Sequence, residues 1–466
     1  MQAPDPAGAR SARPKPPARS ARPKPPARPA AESAARAGAE SAAGAGAESA
    51  AGAGAEAGEC ATAAADTSAG AGTEASGPAA PPQVSLLTIA REWGRIGCIG
   101  FGGPPAHIAL LRALCVDRRG WIPAREFEDG VAATNMLPGP ASTQLAIYCA
   151  WRLRGPRGAL VGGACFIVPG LIVILALSAL FLAAHPPLWI SGAAGGADAA
   201  VPAVALAAAV SLIPASWRRV GTARPARTRW ATYLVIGAAA AAPIGPYLVL
   251  ILVGCGLAEA MLRNPPRRGQ GTGAHGVLLP LLVAPVAATG GLLSVTWLAF
   301  KVGALSYGGG FVIVPLMQHD AVHTYHWMTS AQFLSAVALG QVTPGPVVQT
   351  VAVVGYAAAG VGGGLLASLV AFTPSFAFVL LGGSRFDWLR GNAAVQAFLT
   401  GAGPAAIGAI AGATVPLAIA LSHLWQAGVL AVAAVWLLGL RRGVVPAIVG
   451  AGVLGVIAAL AGAPVS

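Results

Sequence analysis

Long apolar runs follow one another from about residue 84 to the C-terminus, and short polar or glycine-rich stretches separate them. A membrane-spanning helix needs roughly 17 to 25 mainly apolar residues. Ala, Gly, Val and Leu dominate the runs, and small residues let helix backbones approach closely in lipid. The pattern predicts an all-α polytopic membrane protein with about 10 to 13 membrane segments, several of them helices interrupted by Gly or Pro.

Composition supports this class and sets the N-terminus apart. Over 466 residues, 55% are hydrophobic and only 10% are charged, which excludes a soluble domain of this size. Residues 1–82 are instead rich in Ala, Pro and Gly, with "SARPKPPAR" repeated in tandem. They predict a disordered extension with too little apolar bulk to form a core. We expect no signal peptide, since no apolar stretch lies near the N-terminus.

The charge of the extension bears on its partners. It contains eight Lys or Arg and eight Asp or Glu, so the net charge of +13 belongs to residues 83–466. A neutral tail lacks the excess of positive charge that binding to phosphates requires. We therefore expect no nucleic-acid partner.

An internal repeat organises the membrane part of the chain. A shift of 206 residues superposes "RIGCIGFGGPPAHIALL" on "KVGALSYGGGFVIVPLM", and the Pro-Gly-Pro at 138–140 on that at 344–346. Under this shift Gly158 meets Gly364, and a one-residue slip follows. A register kept this long indicates duplication. We predict a first repeat at 83–265, a linker at 266–289 and a second repeat at 290–466.

The charges of the loops predict how the two repeats are oriented. Residues 112–129 and 151–158 of the first repeat are rich in arginine, whereas 318–333 and 357–364 of the second contain no Lys or Arg. Short basic loops stay in the cytoplasm, so the halves should face opposite ways, as an inverted repeat. In each half both flanks of Pro-Gly-Pro have the same character. This favours a re-entrant pair of half-helices over a kinked spanning helix.

The glycine-rich breaks are candidates for binding an anion. Backbone N–H groups that a break leaves free, reinforced by a helix dipole, can hold a negative charge. Close helix packing is the simpler reason for such glycines, but the break occurs twice in the same register. The candidate residues of the two breaks are Phe101, Gly102, Gly103 and Pro104, and Tyr307, Gly308, Gly309 and Gly310.

Two basic residues stand six positions before these breaks. Lys301 is the only lysine outside the extension, and apolar residues flank it on both sides. A charge inside the membrane usually faces a cavity or a partner, so Lys301 and Arg95 are candidates for substrate binding or gating. The alternative is that they extend to the interface, which suits Arg95 because Arg91 and Glu92 precede it.

Polar residues beside the Pro-Gly-Pro turns complete the candidate site. They can bind a ligand or cap the backbone groups that proline frees, and the two roles are compatible. The candidates are Asn135, Pro138, Gly139, Pro140, Thr143 and Gln144 in the first repeat, and Gln341, Pro344, Gly345, Pro346, Gln349 and Thr350 in the second.

Other chemistries have little support in the sequence. Glu92, Asp198, Glu259 and Asp387 are expected near segment ends, which disfavours a proton relay or a cation site built on carboxylates. The group of His319, Asp320, His323 and His326 is expected in a polar extracytoplasmic loop rather than at a metal. No nucleotide, nucleophile or zinc-hydrolase motif is present, so we expect neither an enzyme nor a bound cofactor or metal.

The paired motifs resemble the chromate ion transporter family in its long bidomain form. The resemblance rests on "GFGGPPAHIALL", "NMLPGPASTQLAIYCAWRLRGPRGALVGG", "GALSYGGGFVIVPLM" and "GQVTPGPVVQTVAVVGYAAAG". It departs from the family at Tyr307, where Phe is more common. It implies a multi-pass protein of the plasma membrane that exports chromate, a tetrahedral dianion, and so gives chromate resistance.

The driving force and the alternatives stay open. Membrane potential or proton motive force could drive export, because moving two negative charges out of an inside-negative cell gains about 4.6 kcal/mol per 100 mV. Another tetrahedral oxyanion, sulfate first, is the rival substrate or competitor. A membrane scaffold that recruits partners through the extension is the rival of a different class. A homo-oligomer is compatible with either.

The predicted re-entrant segment can be tested by labelling single cysteines at Gly120→Cys and Pro156→Cys in a chain without native cysteines. Both positions should react with an impermeant maleimide added from the same face of the membrane. Reaction from opposite faces would show a spanning helix.

Overall fold

The computed structural model describes residues 84–183, 186–241, 248–263, 291–306, 311–382 and 391–464. The N-terminal extension, the whole predicted linker and the second glycine-rich break at 307–310 lie outside these residues. Within them the chain forms helices and connections without a strand, as expected for an all-α protein. Four helices are long and apolar enough to cross a membrane, and three shorter ones are apolar. The protein is therefore a polytopic helical membrane protein.

The described part of the first repeat contains seven helices. A wide π-helical turn at Ala113–Arg118 continues the second of them. They are α1 (Leu86–Ile99), α2 (Pro104–Arg112), α3 (Ala124–Thr134), α4 (Ala141–Phe181), α5 (Leu188–Val220), α6 (Arg224–Ala240) and α7 (Leu248–Arg263).

Seven helices of the second repeat follow in the same order. A π-helical turn at His319–Thr324 continues the second of these too, 206 residues after its counterpart. They are α8 (Leu292–Leu305), α9 (Ile313–Gln318), α10 (Ser330–Val342), α11 (Thr350–Gly382), α12 (Ala393–Ile419), α13 (Leu424–Ala434) and α14 (Val444–Leu460).

Both long helices α4 and α11 are broken by a glycine that no other residue could replace without strain. Gly155 has φ 61° and Gly360 has φ 62°, a left-handed conformation that glycine adopts readily. After each break the chain folds back on itself. Gly158 packs against the Ala150 carbonyl, and Gly363 packs against that of Gly355.

These contacts correct the alignment of the two repeats. Gly158 corresponds to Gly363, not to Gly364, because each packs against a carbonyl eight residues before it. The one-residue slip therefore lies before the breaks at Gly155 and Gly360. Sequence identity alone favoured the wrong glycine because residues 362–364 are all glycine.

The two arms around the first Pro-Gly-Pro turn run antiparallel. Glu126 in α3 forms an ion pair with Arg152 in α4, although 26 residues separate them. Between this pair and the turn, a Cβ on Gly130 would lie 2.9 Å from Cδ1 of Tyr148. A continuous helix would hold Glu126 and Arg152 about 39 Å apart. The turn therefore separates two short helices that return to the same end, as the re-entrant hypothesis requires.

The chain also reverses at the first glycine-rich break. Arg119, after α2, lies 3.1 Å from the carboxylate of Glu92 in α1, so this break is the tip of a helical hairpin. In the second repeat Lys301 of α8 pairs with Asp320, which follows α9, so α8 lies beside the end of α9.

The two repeats exchange helices. Helix α5 of the first repeat packs against α13 and α14 of the second, while α12 of the second packs against α6 and α7 of the first. Glycines make these contacts close: Gly196 in α5 meets the backbone of Gly455 in α14, and Gly412 in α12 meets that of Ala238 in α6. Small residues are the usual means of close packing in lipid. The exchange joins the repeats into one bundle.

Candidate functional site

Two backbone hydrogen bonds join the Pro-Gly-Pro turns to the opposite repeats. The N–H of Gly345 donates to the carbonyl of Gly100 at 2.9 Å, and the N–H of Gly139 donates to the carbonyl of Ser306. The 206-residue shift converts one bond into the other. Reciprocal contacts of this kind are those of a two-fold axis. We call these two turns, together with Gly100 and Ser306, the central junction.

Each turn needs its glycine and its prolines for a separate reason. Gly139 has φ 119° and Gly345 has φ 100°, and this conformation is strained for any other residue. The prolines cannot continue the preceding helix because they lack an N–H. Pro140 then stands as the residue before α4. The sequence thus forces a helix end, a tight turn and a new helix within a few residues.

Small residues let the junction close. Across from the second turn, a Cβ on Gly170 of α4 would collide with the carbonyl of Pro344. Across from the first turn lies the hydroxyl of Ser375 in α11, 3.1 Å from where a Cβ on Gly139 would be. Gly170 and Ser375 are equivalent after the slip, so the two repeats meet through the same positions.

Two glutamines satisfy freed carbonyls near the turns. Nε2 of Gln144 donates to the carbonyl of Pro138 at 2.6 Å, and Nε2 of Gln349 donates to that of Ile167 in the other repeat at 2.6 Å. The Thr350 hydroxyl donates to the carbonyl of Val347 at 2.8 Å. These three side chains therefore bond to backbone carbonyls, as the capping alternative expects of them.

Buried polar atoms without a partner gather at the same place. Such atoms are rare in folded proteins, and each calls for a ligand, a water or a function. Within the described residues nine side-chain atoms are of this kind, and six of them belong to the junction or to the helices that face it. The six are Thr143 Oγ1, Gln144 Oε1, Ser306 Oγ, Gln341 Nε2, Gln349 Oε1 and Ser375 Oγ.

The chemistry of these atoms suits an oxyanion together with water. The hydroxyls of Thr143, Ser306 and Ser375 and the amide of Gln341 can donate hydrogen bonds to an anion. The oxygens of Gln144 and Gln349 can only accept, so they require a water or a protonated oxygen of the ligand. The junction therefore combines unpartnered neutral donors and acceptors from both repeats.

A buried histidine next to the junction was not among the predicted site residues. His107 is fully buried, with Nε2 2.9 Å from the Gly100 carbonyl and Nδ1 3.3 Å from Ser142 Oγ. Since a carbonyl only accepts, Nε2 carries a proton in this arrangement. The ring contacts Phe166 edge to face, with centroids 5.0 Å apart. His107 thus supports the same Gly100 carbonyl that Gly345 binds. A lone histidine in an apolar helix is the signal that could have identified it.

The two predicted cations differ in their surroundings. The side chain of Arg95 is exposed, whereas Lys301 is 7% exposed and pairs with Asp320, which is 3% exposed. The Lys301 ammonium also lies 5.9 Å from the centre of the Trp297 ring. The charge of Lys301 inside the bundle is therefore balanced by the carboxylate of Asp320.

The expectation about acidic residues was wrong in two places. Asp320 is buried in the bundle rather than in a polar loop, because Lys301 compensates its charge. Asp198 lies within α5, 10 residues after its start at Leu188, rather than near a segment end. The small residues around Asp198 give no sign in the sequence that this stretch is the middle of a helix. The same small residues let the neighbouring helices pack closely around it.

The two sides of the junction are not equally accessible. In the first repeat Phe101 is 43% exposed, and Gly102, Asn135 and Pro138 are exposed as well. In the second repeat all residues from Thr343 to Thr350 are buried. The break at Tyr307–Gly310 lies outside the described residues. The polar centre is thus covered on one side and more open on the other.

A helical bundle whose interrupted helices meet at a buried polar centre is the architecture of a secondary membrane transporter. Comparison with known families agrees: the family model "Chromate transporter" matches residues 87–260 and 293–456. The chain belongs to this family.

Curated relatives cover most of the chain. It is 30% identical over 367 residues to a probable chromate transport protein of Synechococcus elongatus, a match that covers 77% of this chain and 92% of the relative. It is 31% identical over 346 residues to the chromate transport protein of Cupriavidus metallidurans, covering 72% and 84%. A chromate transport protein of Pseudomonas aeruginosa is 29% identical over 357 residues, covering 74% and 84%. No solved structure matches.

The buried Lys301–Asp320 pair predicts a specific pattern among variants. Lys301→Met and Asp320→Asn should each lower the free energy of unfolding in detergent by about 3–5 kcal/mol, because each leaves one buried charge unpaired. The double variant should recover most of that loss, since Met and Asn leave no buried charge. If the double variant is no more stable than the single ones, the pair does not act as a unit.

Proposed function

We propose that the protein exports chromate from the cytoplasm, with the central junction as the site where the anion binds near the membrane midplane. The observation that carries the proposal is the cluster of buried, unpartnered donors at the contact between the two repeats. A tetrahedral dianion presents oxygen acceptors in several directions. Hydroxyls and an amide contributed by both repeats can match it.

Lys301 contributes to this site through its charge. It lies five residues before Ser306, about 7.5 Å along the chain axis. While Asp320 is paired with it, the field of the lysine at the junction is largely cancelled. A dianion that attracts the Lys301 ammonium would compete with Asp320. The ion pair would then break when substrate binds, and the positive charge of Lys301 would act on the anion. Arg95 is exposed and, with Phe101, stands at the more open side.

The orientation of the first repeat follows from the charges of its connections. The hairpins return to one end of the bundle, where Arg119 and Arg157 lie. From there the second arm of α4, then α5, α6 and α7 cross in turn, which brings Arg219, Arg224 and Arg263 to the same end. Basic connections remain in the cytoplasm, so this end is cytoplasmic.

The second repeat fits the opposite orientation. Its hairpins end in connections without Lys or Arg. Starting from that face, the second arm of α11, then α12 and α13 cross in turn and bring Arg441 and Arg442 to the cytoplasmic end. Inverted repeats of this kind support alternating access to a fixed central site.

The unequal cover of the two sides suits one state of such a cycle. The first repeat exposes its break and its turn, while the second buries its turn. In this arrangement the anion would reach the junction from the side on which the first repeat exposes its break and its turn. Export then requires the two repeats to exchange these roles through the reciprocal junction, a change that the two-fold relation makes geometrically equivalent.

Energetics favour export over import. Moving a dianion out of an inside-negative cell gains about 4.6 kcal/mol per 100 mV, before any coupled ion is counted. The same chemistry admits sulfate, which is also a tetrahedral dianion and offers the same acceptor geometry. The chromate transport proteins among the relatives favour chromate as the substrate, and resistance to chromate would follow from its export.

Transport by inverted membrane vesicles tests this function. A potassium gradient with valinomycin that makes the vesicle interior positive should drive uptake of labelled chromate, and reversal of the gradient should stop it. Thr143→Val combined with Gln341→Leu should raise KM more than tenfold, because hydrogen bonds to a charged acceptor contribute about 1.5–3 kcal/mol each.

Thr373→Val is the matched control, since its hydroxyl is exposed and bonds within its own helix. It should leave uptake unchanged. Unlabelled sulfate that competes with a lower inhibition constant than chromate would make sulfate the preferred substrate. No potential-driven uptake of either anion would contradict the proposed function.

A further inference from the structure

Asp198 is a carboxylate deep inside the bundle that the junction does not use. It lies about 15 Å along α5 from the start of that helix and is 6% exposed. Its Oδ2 accepts a hydrogen bond of 2.8 Å from the Ser335 hydroxyl in α10 of the other repeat. This bond holds the carboxyl group at the contact between the two repeats.

The second oxygen of Asp198 has no partner, and the residue borders a small cavity. Oδ1 is buried and accepts no hydrogen bond from the described part of the chain. Asp198 lines a cavity of about 20 Å³ together with His423 and Gln426, which is room for one water molecule. Nε2 of His423 is also buried and without a partner. A single water there could join two atoms that otherwise remain unsatisfied.

His423 lies beside this cavity at the end of a helix and is half-exposed. It is the residue before α13 and lies in the short connection after α12. Its backbone N–H and that of Ser422 both donate to Oε1 of Gln426, at 3.1 and 2.9 Å. Nε2 of Gln426 in turn donates to the carbonyl of Gly195 in α5 at 3.1 Å. The histidine is therefore held beside α5, between the aqueous face and Asp198.

The opposite side of Asp198 is apolar. Asp198 and Ser335 border a cavity of about 280 Å³ whose other walls include Phe181, Trp189 and Ile448. Apart from these two residues the lining is hydrophobic. A carboxylate between an apolar cavity and a cavity with room for one water is costly to keep ionised without a cation, and a bound proton removes that cost.

No cation within the described bundle competes with a proton for Asp198. Helices α10, α12, α13 and α14, which pack against α5, contain no Lys, Arg, Asp or Glu. Arg219 on α5 itself is 21 residues away, about 31 Å along the helix, and the arginines of α6 follow that far end. In α4, Arg157 is 24 residues before Phe181, the residue that borders the apolar cavity, which is about 36 Å along a helix. Arg441 follows the end of α13 that is farther from His423. His423 is thus the titratable group that faces Asp198.

We propose that Asp198 binds the proton that couples chromate transport to the proton gradient, and that His423 and one water deliver it from the extracytoplasmic face. The proposal rests on the proposed function. A proton on the imidazole passes to the water, and the water gives a proton to Oδ1, leaving a neutral histidine and a neutral carboxylic acid. Inward proton movement and outward movement of the dianion then both follow the membrane potential.

Unlike the junction, this site has no counterpart in the matching helix of the second repeat. Helix α12, which holds the place of α5 there, contains no Asp, Glu or His between Ala393 and Ile419. The repeat thus supplies a symmetric anion site and an asymmetric proton site, so that the two directions of the cycle can differ in proton occupancy.

Purified full-length protein in liposomes that contain the pH dye pyranine tests the proposal. With chromate outside and chromate-free buffer inside, the wild type should move protons against the direction of chromate, in a fixed ratio. Asp198→Asn should lower the ratio of protons to chromate to the background of protein-free liposomes. His423→Gln should slow chromate-dependent proton movement even if Asp198→Asn fails to fold.

Asp117→Asn is the control, since Asp117 is exposed in the connection after α2, and its ratio should equal that of the wild type. Wild-type protein that moves no chromate contradicts the proposed function itself. Wild-type protein that moves chromate without protons overturns only the proton site. Either variant that keeps the wild-type ratio and rate overturns it as well.

Discussion

The structure depends on the exchange of backbone hydrogen bonds between its two repeats. Gly345 binds the carbonyl of Gly100, and Gly139 binds that of Ser306, so that each Pro-Gly-Pro turn completes a break in the other half. The N–H of the central glycine in each turn finds its acceptor in the other repeat, because the reversal has ended the preceding helix. In a lipid environment such groups must find partners inside the protein. The requirement explains why the repeats interlock rather than sit side by side, and why small residues such as Gly170 line the contact.

The same interlocking buries two kinds of polar group: those that both repeats share and those that only one repeat contains. The hydroxyls and amides at the junction come from equivalent or neighbouring positions in the two repeats, and they suit a ligand held on or near the two-fold axis. The buried ionisable groups differ between the repeats. Lys301 corresponds to Arg95, which is exposed. Asp320 and Asp198 correspond to no ionisable residue in the other repeat. The repeats thus share the polar positions of the junction and differ in their buried charged residues, and we propose that the shared positions bind the anion while the differing charges give its transport a direction.

Much of this could be predicted from the sequence, for physical reasons. The membrane class follows from hydropathy, and the repeat and its turns from Pro-Gly-Pro at a fixed spacing. The antiparallel arms follow from the like character of their flanks, which the Glu126–Arg152 ion pair confirms. The burial of Asp198, Asp320 and His107 could not be predicted, because a lone polar residue in an apolar helix does not reveal which face the bundle covers. The slip before Gly155 escaped for a similar reason, since a run of glycines has no side chains to fix its register.

The central claim is that the oxyanion binds where the two repeats exchange hydrogen bonds. Cryo-electron microscopy of the full-length protein saturated with chromate tests it most directly. The account predicts tetrahedral density within hydrogen-bonding distance of the Thr143 hydroxyl and the Gln341 amide, between the two Pro-Gly-Pro turns. Density bound elsewhere, with the junction empty and unchanged, would contradict it.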